Sequence, residues 1–395
     1  CVPFFRRLAW DCRYHYRDGR WDLRSGDVTE TQERGASVRA RPRRLGELGG
    51  EKGTMAAKVT LKDIAREVGL SPTSVSLVLN DRPCKISAEN RRRIKEVARK
   101  KRYIPNQIAR SLVTQHSQTL GLVVPNIESR FFSSLARNLE LRCRERGYLL
   151  LITNSDGSKS NDTELVRLLV NRGVDGLFVV VSDELRPGHE LASMLEQLPV
   201  PYVMVDRFIE GLDCDKVGFN NEQGGYLATS YLLGRGHERV ACLINKESNT
   251  GLERMAGYER ALRERGIEPD PELEFHTAYY IDDAYESAKG FLKTDATAVF
   301  ASSDNIALGL LKLLYAHDLR VPRDYSVVSY DNSAADSLFE PALTSIEQNS
   351  GELADAAIDL LFARLAEADA GTEPKGSVST ILRPKIVVKN SVRWL

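Results

Sequence analysis

The chain has 395 residues, 28 % charged and 42 % hydrophobic, enough for more than one buried core. It contains no run of 18 apolar residues that could span a membrane, and its six cysteines (Cys1, Cys12, Cys84, Cys143, Cys214, Cys242) form no C-x-x-C metal or redox pair. A formal net charge of zero hides a strong division: residues 55–118 hold 14 Lys+Arg against 5 Asp+Glu, residues 119–395 hold 29 against 42, and residues 1–54 hold 12 against 8.

Residues 1–54 match no motif and show no apolar periodicity. Gly50-Glu51-Lys52-Gly53-Thr54 back-translates to a purine-rich tract a few bases before the Met55 codon, where a bacterial ribosome-binding site belongs. These 54 residues are therefore expected to be translated upstream sequence, with Met55 as the start. The competing expectation is a disordered basic extension. Peptide mapping of natively expressed protein separates the two.

Residues 55–104 read as a helix-turn-helix headpiece. Thr60 and Asp63 form a capping pair, and Leu61, Ile64, Ala65 and Val68 recur at helical spacing. Gly69 supplies a left-handed stop. Ser71 caps a second helix with Pro72 at its first position, and Val75, Val78 and Leu79 face inward. Pro72, Thr73, Ser74, Ser76 and Leu77 remain on the outward face, with Asn80 at its end and Thr60 at the start of the motif, where such helices reach base edges and phosphates. Ser87 caps a third helix running to about Arg102, with Tyr103 after it. A basic run beside this motif is an electrostatic footprint for double-stranded DNA, with affinity that falls steeply as salt rises.

From Leu120 short apolar runs alternate with amphipathic stretches. Strands are predicted at 120–125, 148–154, 176–181, 202–206, 240–245, 298–302 and 326–330. Helices are predicted at 132–146, 162–172, 222–233, 253–265, 304–317 and 351–366. This alternation implies parallel sheets, and about 275 residues divide naturally into two lobes. In such sheets ligands sit at the carboxyl ends of strands. Asp206 and Arg207, Ser303 and Asp304, and Asp331 with Asn332 stand at those ends. Phe131 and Phe132 open the first body helix, and Ser248, Thr250 and Arg254 follow another strand. Carboxylates that accept from hydroxyls, an arginine fork and aromatic rings together suit a polyhydroxylated ligand.

The stretches VTLKDIAREVGLSPTSVSLVLN and RYIPNQIARSL, then RGVDGLFVV, GHERVACL, RMAGYERAL, SSDNIALG and VVSYDN, resemble the lactose-repressor (LacI/GalR) family of bacterial transcription regulators over about residues 58–392. The resemblance implies an all-α headpiece joined to an α/β two-lobed periplasmic-binding-protein-like body. It places a hinge helix and linker at 105–118, with Asn106, Ala109 and Arg110 on the helix and Leu112 as the wedge that opens a minor-groove step. The body, 119–395, would have lobe one at about 119–219 and 350–378, and lobe two at about 220–349 and 379–395. Positions matching Arg254 and Asp331 commonly contact effector in the family, as do those near Phe131, Asp206 and Ser303. Phe219 and Ser248 are expected at the effector as well, although both depart from relatives: Phe219 stands where several have a carboxylate, and Ser248 where some have an arginine. Leu77 replaces a residue that is often basic or hydrogen-bonding, leaving only apolar contact to a base.

The function expected is a sequence-specific DNA-binding repressor that works in the cytoplasm as a homodimer, controlled by a small effector, a sugar or sugar phosphate. A purine-like base or a protein corepressor is the alternative within the family. The ending VVKNSVRWL carries no heptad repeat, hence the expectation of a dimer. A sugar-binding protein without DNA function is the reading from another class, and it leaves the basic headpiece unexplained. No cofactor is expected: Gly224-Gly225 opens a helix without a phosphate-loop pattern and reads as tight packing, and the six histidines stand apart from one another.

Overall fold

The computed structural model describes residues 59–104, 116–182, 189–333, 341–372 and 376–395, and the backbone of a short antiparallel pair, β1 (Tyr16–Arg17) and β2 (Arg20–Trp21). The expectation for residues 1–54 falls, apart from that pair, outside the described residues. So do the hinge positions Asn106, Ala109, Arg110 and Leu112.

Three helices form the headpiece: α1 (Leu61–Val68), α2 (Pro72–Leu79) and α3 (Ala88–Lys100). Local chemistry sets each boundary. The Asp63 carboxylate accepts from the Thr60 N–H (2.9 Å) and hydroxyl (2.7 Å) at the start of α1. Gly69 ends it at φ +73°, a conformation open to glycine at little cost. Ser71 Oγ accepts from the Ser74 N–H (3.1 Å) and Ser87 Oγ from the Asn90 N–H (3.3 Å). Ile64, Val68, Val75, Val78 and Ile94 close one small core. Helix α3 stops at Lys100, two residues before the expected end, and Arg102 turns left-handed (φ +50°).

The body contains two six-stranded sheets. The first runs β13–β7–β6–β5–β3–β4 and is wholly parallel: β3 (Thr119–Val124), β4 (Leu149–Asn154), β5 (Gly176–Val179), β6 (Tyr202–Val205), β7 (Lys216–Phe219) and β13 (Ser379–Leu382). The second runs β14–β12–β11–β10–β8–β9: β8 (Val240–Ile244), β9 (Glu274–His276), β10 (Ala298–Ala301), β11 (Ser326–Asp331), β12 (Thr344–Glu347) and β14 (Lys385–Val387). Only β14 pairs antiparallel, against β12. Buried strands such as β5 and β10 are apolar on both faces because helices cover both sides of the sheet.

The chain passes between the sheets three times: after β7, after β12, and between β13 and β14. The last passage corrects the expected boundary at 378/379, because β13 pairs with β7 of the first sheet and only β14 joins the second. Helices α4 (Arg130–Glu145), α5 (Lys159–Asn171), α6 (His189–Glu196) and α11 (Ser350–Asp369) belong to lobe one. Helices α7 (Asn221–Gly234), α8 (Asn249–Glu264), α9 (Ile281–Ala288) and α10 (Asp304–Ala316) belong to lobe two. Gly224 and Gly225 serve helix packing as expected: a Cβ on Gly225 would enter the Arg254 carbonyl of α8, and one on Gly224 the Tyr330 ring.

Candidate functional site

The carboxyl ends of both sheets face one another across a cleft. Asp206 follows β6 and Asp331 ends β11, and both adopt left-handed backbone (φ +67° and +83°), which Asp tolerates better than most side chains. Arg254, on the first turns of α8, is 4 % exposed and is the centre of the site. Its Nε donates to Asn221 Oδ1 (2.9 Å), Nη1 to the Ser302 carbonyl (2.6 Å) and Nη2 to Gln348 Oε1 (3.1 Å). The guanidinium also lies 3.8 Å from the centre of the Tyr330 ring and 4.0 Å from Asp331 Oδ1. Asn221 stands just after the first inter-sheet passage and Gln348 at the second. One side chain therefore holds two of the three connections between lobes.

Arg207 makes a different bridge. Its guanidinium lies 5.0 Å from the Phe132 ring of lobe one and 5.2 Å from the Tyr279 ring of lobe two, and 3.9 Å from Asp206. Phe131 and Phe132 pack edge-to-face at 5.3 Å, both buried, and both belong to the lobe-one core while also lining the cleft.

Burial dominates the electrostatics. It pushes the Asp331 carboxyl up to about 7 against the pull of Arg254, and it raises Asp206 against the pull of Arg207 and Arg254. Asp206 Oδ1 and Gln348 Nε2, both in the cleft wall, have no hydrogen-bond partner among the described residues, nor do Ser302 Oγ and Tyr330 Oη beside Arg254. Buried polar atoms are rarely left this way unless a water or a ligand completes them. The chamber that Asp206 and Gln348 line has about 60 Å3, room for one or two waters.

Several expected residues have structural tasks. Ser303 caps α10, accepting from the Ile306 N–H (3.2 Å), although it also lines the cleft. Asp304 ties the end of β11, accepting from Ser329 Oγ (2.7 Å) and from the Ser333 N–H and hydroxyl (2.8 Å each). Ser248 caps α8 and pairs with Thr250 Oγ1 at 2.7 Å. Phe219 is not in the cleft wall. It points into the lobe-one core at the end of β7, while Gly218 before it faces the opposite side, against Phe208. Tyr279, Gln348 and Asn221 are the residues that sequence reasoning missed. Tyr279 and Gln348 follow β9 and β12, so the rule about strand ends would have found them had those strands been recognised.

On the headpiece, Pro72 and Thr73 are exposed at the start of α2, and Ser74, Ser76 and Leu77 are half-buried. Ser71 is committed to its cap. The Asn80 amide donates to the Ser76 carbonyl (2.8 Å), closing the end of α2. Tyr103 is half-buried against the headpiece core, and that burial raises its hydroxyl above the usual range. Among the described residues no cluster of His, Cys, Asp and Glu could hold a metal ion, and no helix is long and apolar enough to cross a membrane.

Residues 60–106 match the family described as bacterial regulatory proteins, lacI family, and residues 229–392 match a periplasmic binding protein-like domain. The HTH-type transcriptional repressor PurR of Vibrio atlanticus (strain LGP32) is 33 % identical over 340 residues, 85 % of this chain and 99 % of that protein. The solved complex of the transcriptional regulator CelR with cellobiose is 27 % identical with a TM-score of 0.62, covering 84 % of this chain and 99 % of that one. The lac repressor dimer bound to operator and the anti-inducer ONPF aligns with a TM-score of 0.74 at 24 % identity, over 85 % of this chain and 99 % of that one, a likeness of fold.

Proposed function

The chain belongs to the lacI family of bacterial regulatory proteins, and we propose that it is a dimeric repressor switched by a sugar-like effector in the interlobe cleft. The family is one of DNA-binding repressors that carry a helix-turn-helix and a periplasmic-binding-protein-like domain, not of enzymes. The observation that carries the effector reading is the Arg254 network, which joins the cleft to two connections between the lobes. A polyol that donates hydroxyls to Asp206 and Asp331, and accepts from Gln348, would satisfy Asp206 Oδ1 and Gln348 Nε2, which have no partner among the described residues. The aromatic groups around Arg207 would cover its C–H face. The narrow chamber means that the lobes part to admit a ligand and reclose on it.

Closure would then be felt in lobe one, from which residues 105–118 lead back to the headpiece. There the expected hinge helix, with Asn106, Ala109 and Arg110, would seat Leu112 in the minor groove of the operator. Two headpieces on one dimer match a pseudo-palindromic site, with Pro72, Thr73, Ser76 and Leu77 toward the bases. The likeness to a cellobiose-bound regulator supports the sugar class. A planar base is the second reading, favoured by Phe131, Phe132 and Tyr279 around the same chamber, and disfavoured by two cleft carboxylates, Asp206 and Asp331, that have few donors to meet on a base.

Isothermal titration of the full chain against monosaccharides, disaccharides, sugar phosphates and purine bases tests this. A sugar that binds the wild type and is lost in Arg254→Ala supports the reading. Binding of bases alone, or a sugar isotherm unaltered in Arg254→Ala, overturns it.

A further inference from the structure

Beyond Arg207 and Thr250, which line both spaces, the cleft opens into a second chamber of about 240 Å3. Its floor is the start of α5 and Ser182, its walls are Val181, Leu191, Phe208 and Ile209, and Ser248 and Thr250 close it from lobe two. One charged side chain stands out. Asp162 is 1 % exposed, and its Oδ2 accepts from the Ser182 N–H at 2.9 Å, while Oδ1 has no hydrogen-bond partner. The Ser155 and Ser182 side chains favour the ionised carboxylate, but neither meets Oδ1 in hydrogen-bond geometry, which leaves an acceptor on the wall of a mostly apolar chamber.

Resting on the reading of the cleft as a sugar site, we propose that the second chamber holds the second ring of a neutral two-ring glycoside, whose hydroxyls donate to Asp162. Three observations select that chemistry. The Asp162 carboxylate favours hydroxyls and disfavours a phosphate, although Lys159, Arg207 and the start of α5 line the same chamber. The apolar walls suit the C–H face of a pyranose ring. The first chamber, at about 60 Å3, is the narrower of the two, and together they offer about 300 Å3, the lower end of the range for small-molecule pockets. Arg207, held between Phe132 and Tyr279, stands at the junction, where the glycosidic oxygen would lie.

The test is calorimetric titration of the full chain with glucose, galactose, cellobiose, maltose and lactose. One disaccharide should bind at least about ten-fold tighter than its component monosaccharides. Asp162→Asn, which replaces the free acceptor by an amide, should weaken that disaccharide about ten-fold or more and leave monosaccharide binding within about two-fold. Should Asp162→Asn lower the melting temperature, Leu191→Trp, which fills the chamber from its apolar wall, should give the same selective loss. A monosaccharide that binds as tightly as every disaccharide, or selectivity unchanged in both variants, overturns the second ring while leaving the first chamber intact. No binding of any sugar by the wild type overturns the sugar reading together with it.

Discussion

Asp331 is the residue on which the effector's pH dependence turns. Its carboxyl is raised by burial to about 7, so near neutrality the empty site holds a mixture of both forms. The folded value lies above the unfolded one, so this group favours the fold fully below about pH 4, and that contribution is lost as pH rises through about 7. A ligand whose hydroxyl donates to the ionised carboxylate reverses the preference. Affinity should therefore fall by up to about ten-fold per pH unit below 7 and level off above it, and Asp331→Asn should flatten the profile. Calorimetry between pH 5.5 and 8.5 reads this directly, and a wild-type profile already flat would refute the role. On the headpiece, Leu77 offers only apolar contact to a base, so Leu77→Arg should change half-site preference, adding a guanine contact of about 1–3 kcal/mol, without abolishing binding. Selection from randomised duplexes checks it, and an unaltered preference contradicts it. The headpiece was legible residue by residue because its capping groups lie within three positions of what they cap. Phe219 was misjudged because which way a side chain faces on a strand cannot be assigned when the strand itself goes unrecognised.

Elements carried the same lesson. Most helices announce themselves by period and the recognised strands by unbroken apolar runs, four-residue β5, β6 and β10 among them, whereas β7, β9, β12, β13 and β14 mix polar residues into three or four positions. Tyr279 and Gln348 were lost with them, and the last passage between lobes was set before β13 instead of after it, since β13 and β14 are separated by only two residues. Helix α7 shows what a legible element can be asked to do. Gly225→Ala places a methyl group against the Arg254 backbone carbonyl, which can yield only if α7 and α8 separate. Unfolding should show a loss of about 1–3 kcal/mol, with weaker effector binding because Arg254 moves. Gly234→Ala, on the same helix with open space around its Cβ, should be neutral or slightly stabilising. Equal effects of the two substitutions would argue against a close-packed pair of helices beneath the site.

At the scale of the whole molecule, the charge division seen in the sequence becomes a division of labour. A basic headpiece is attracted to phosphates, and an acidic body is kept off them and left to respond to small molecules. The two are coupled in this account only if cleft occupancy alters how the lobes are held, and Arg254 is the side chain that bonds to both nearby connections. Moving an operator from mostly occupied to mostly free requires an effector preference of several kcal/mol between two states, more than a peripheral contact can provide. Leu112→Ala should fail in the opposite way to a cleft variant, weakening operator binding in the presence and absence of effector alike. The decisive measurement is the anisotropy of labelled DNA from the region upstream of the chain's own gene, titrated with the full protein, with and without the sugar that binds it. Wild type should change its DNA affinity by about ten-fold or more on adding that sugar, and Arg254→Ala, with its starting affinity within a few-fold, should hardly change at all. An identical shift in Arg254→Ala, or DNA affinity indifferent to a sugar that demonstrably fills the cleft, would contradict the account.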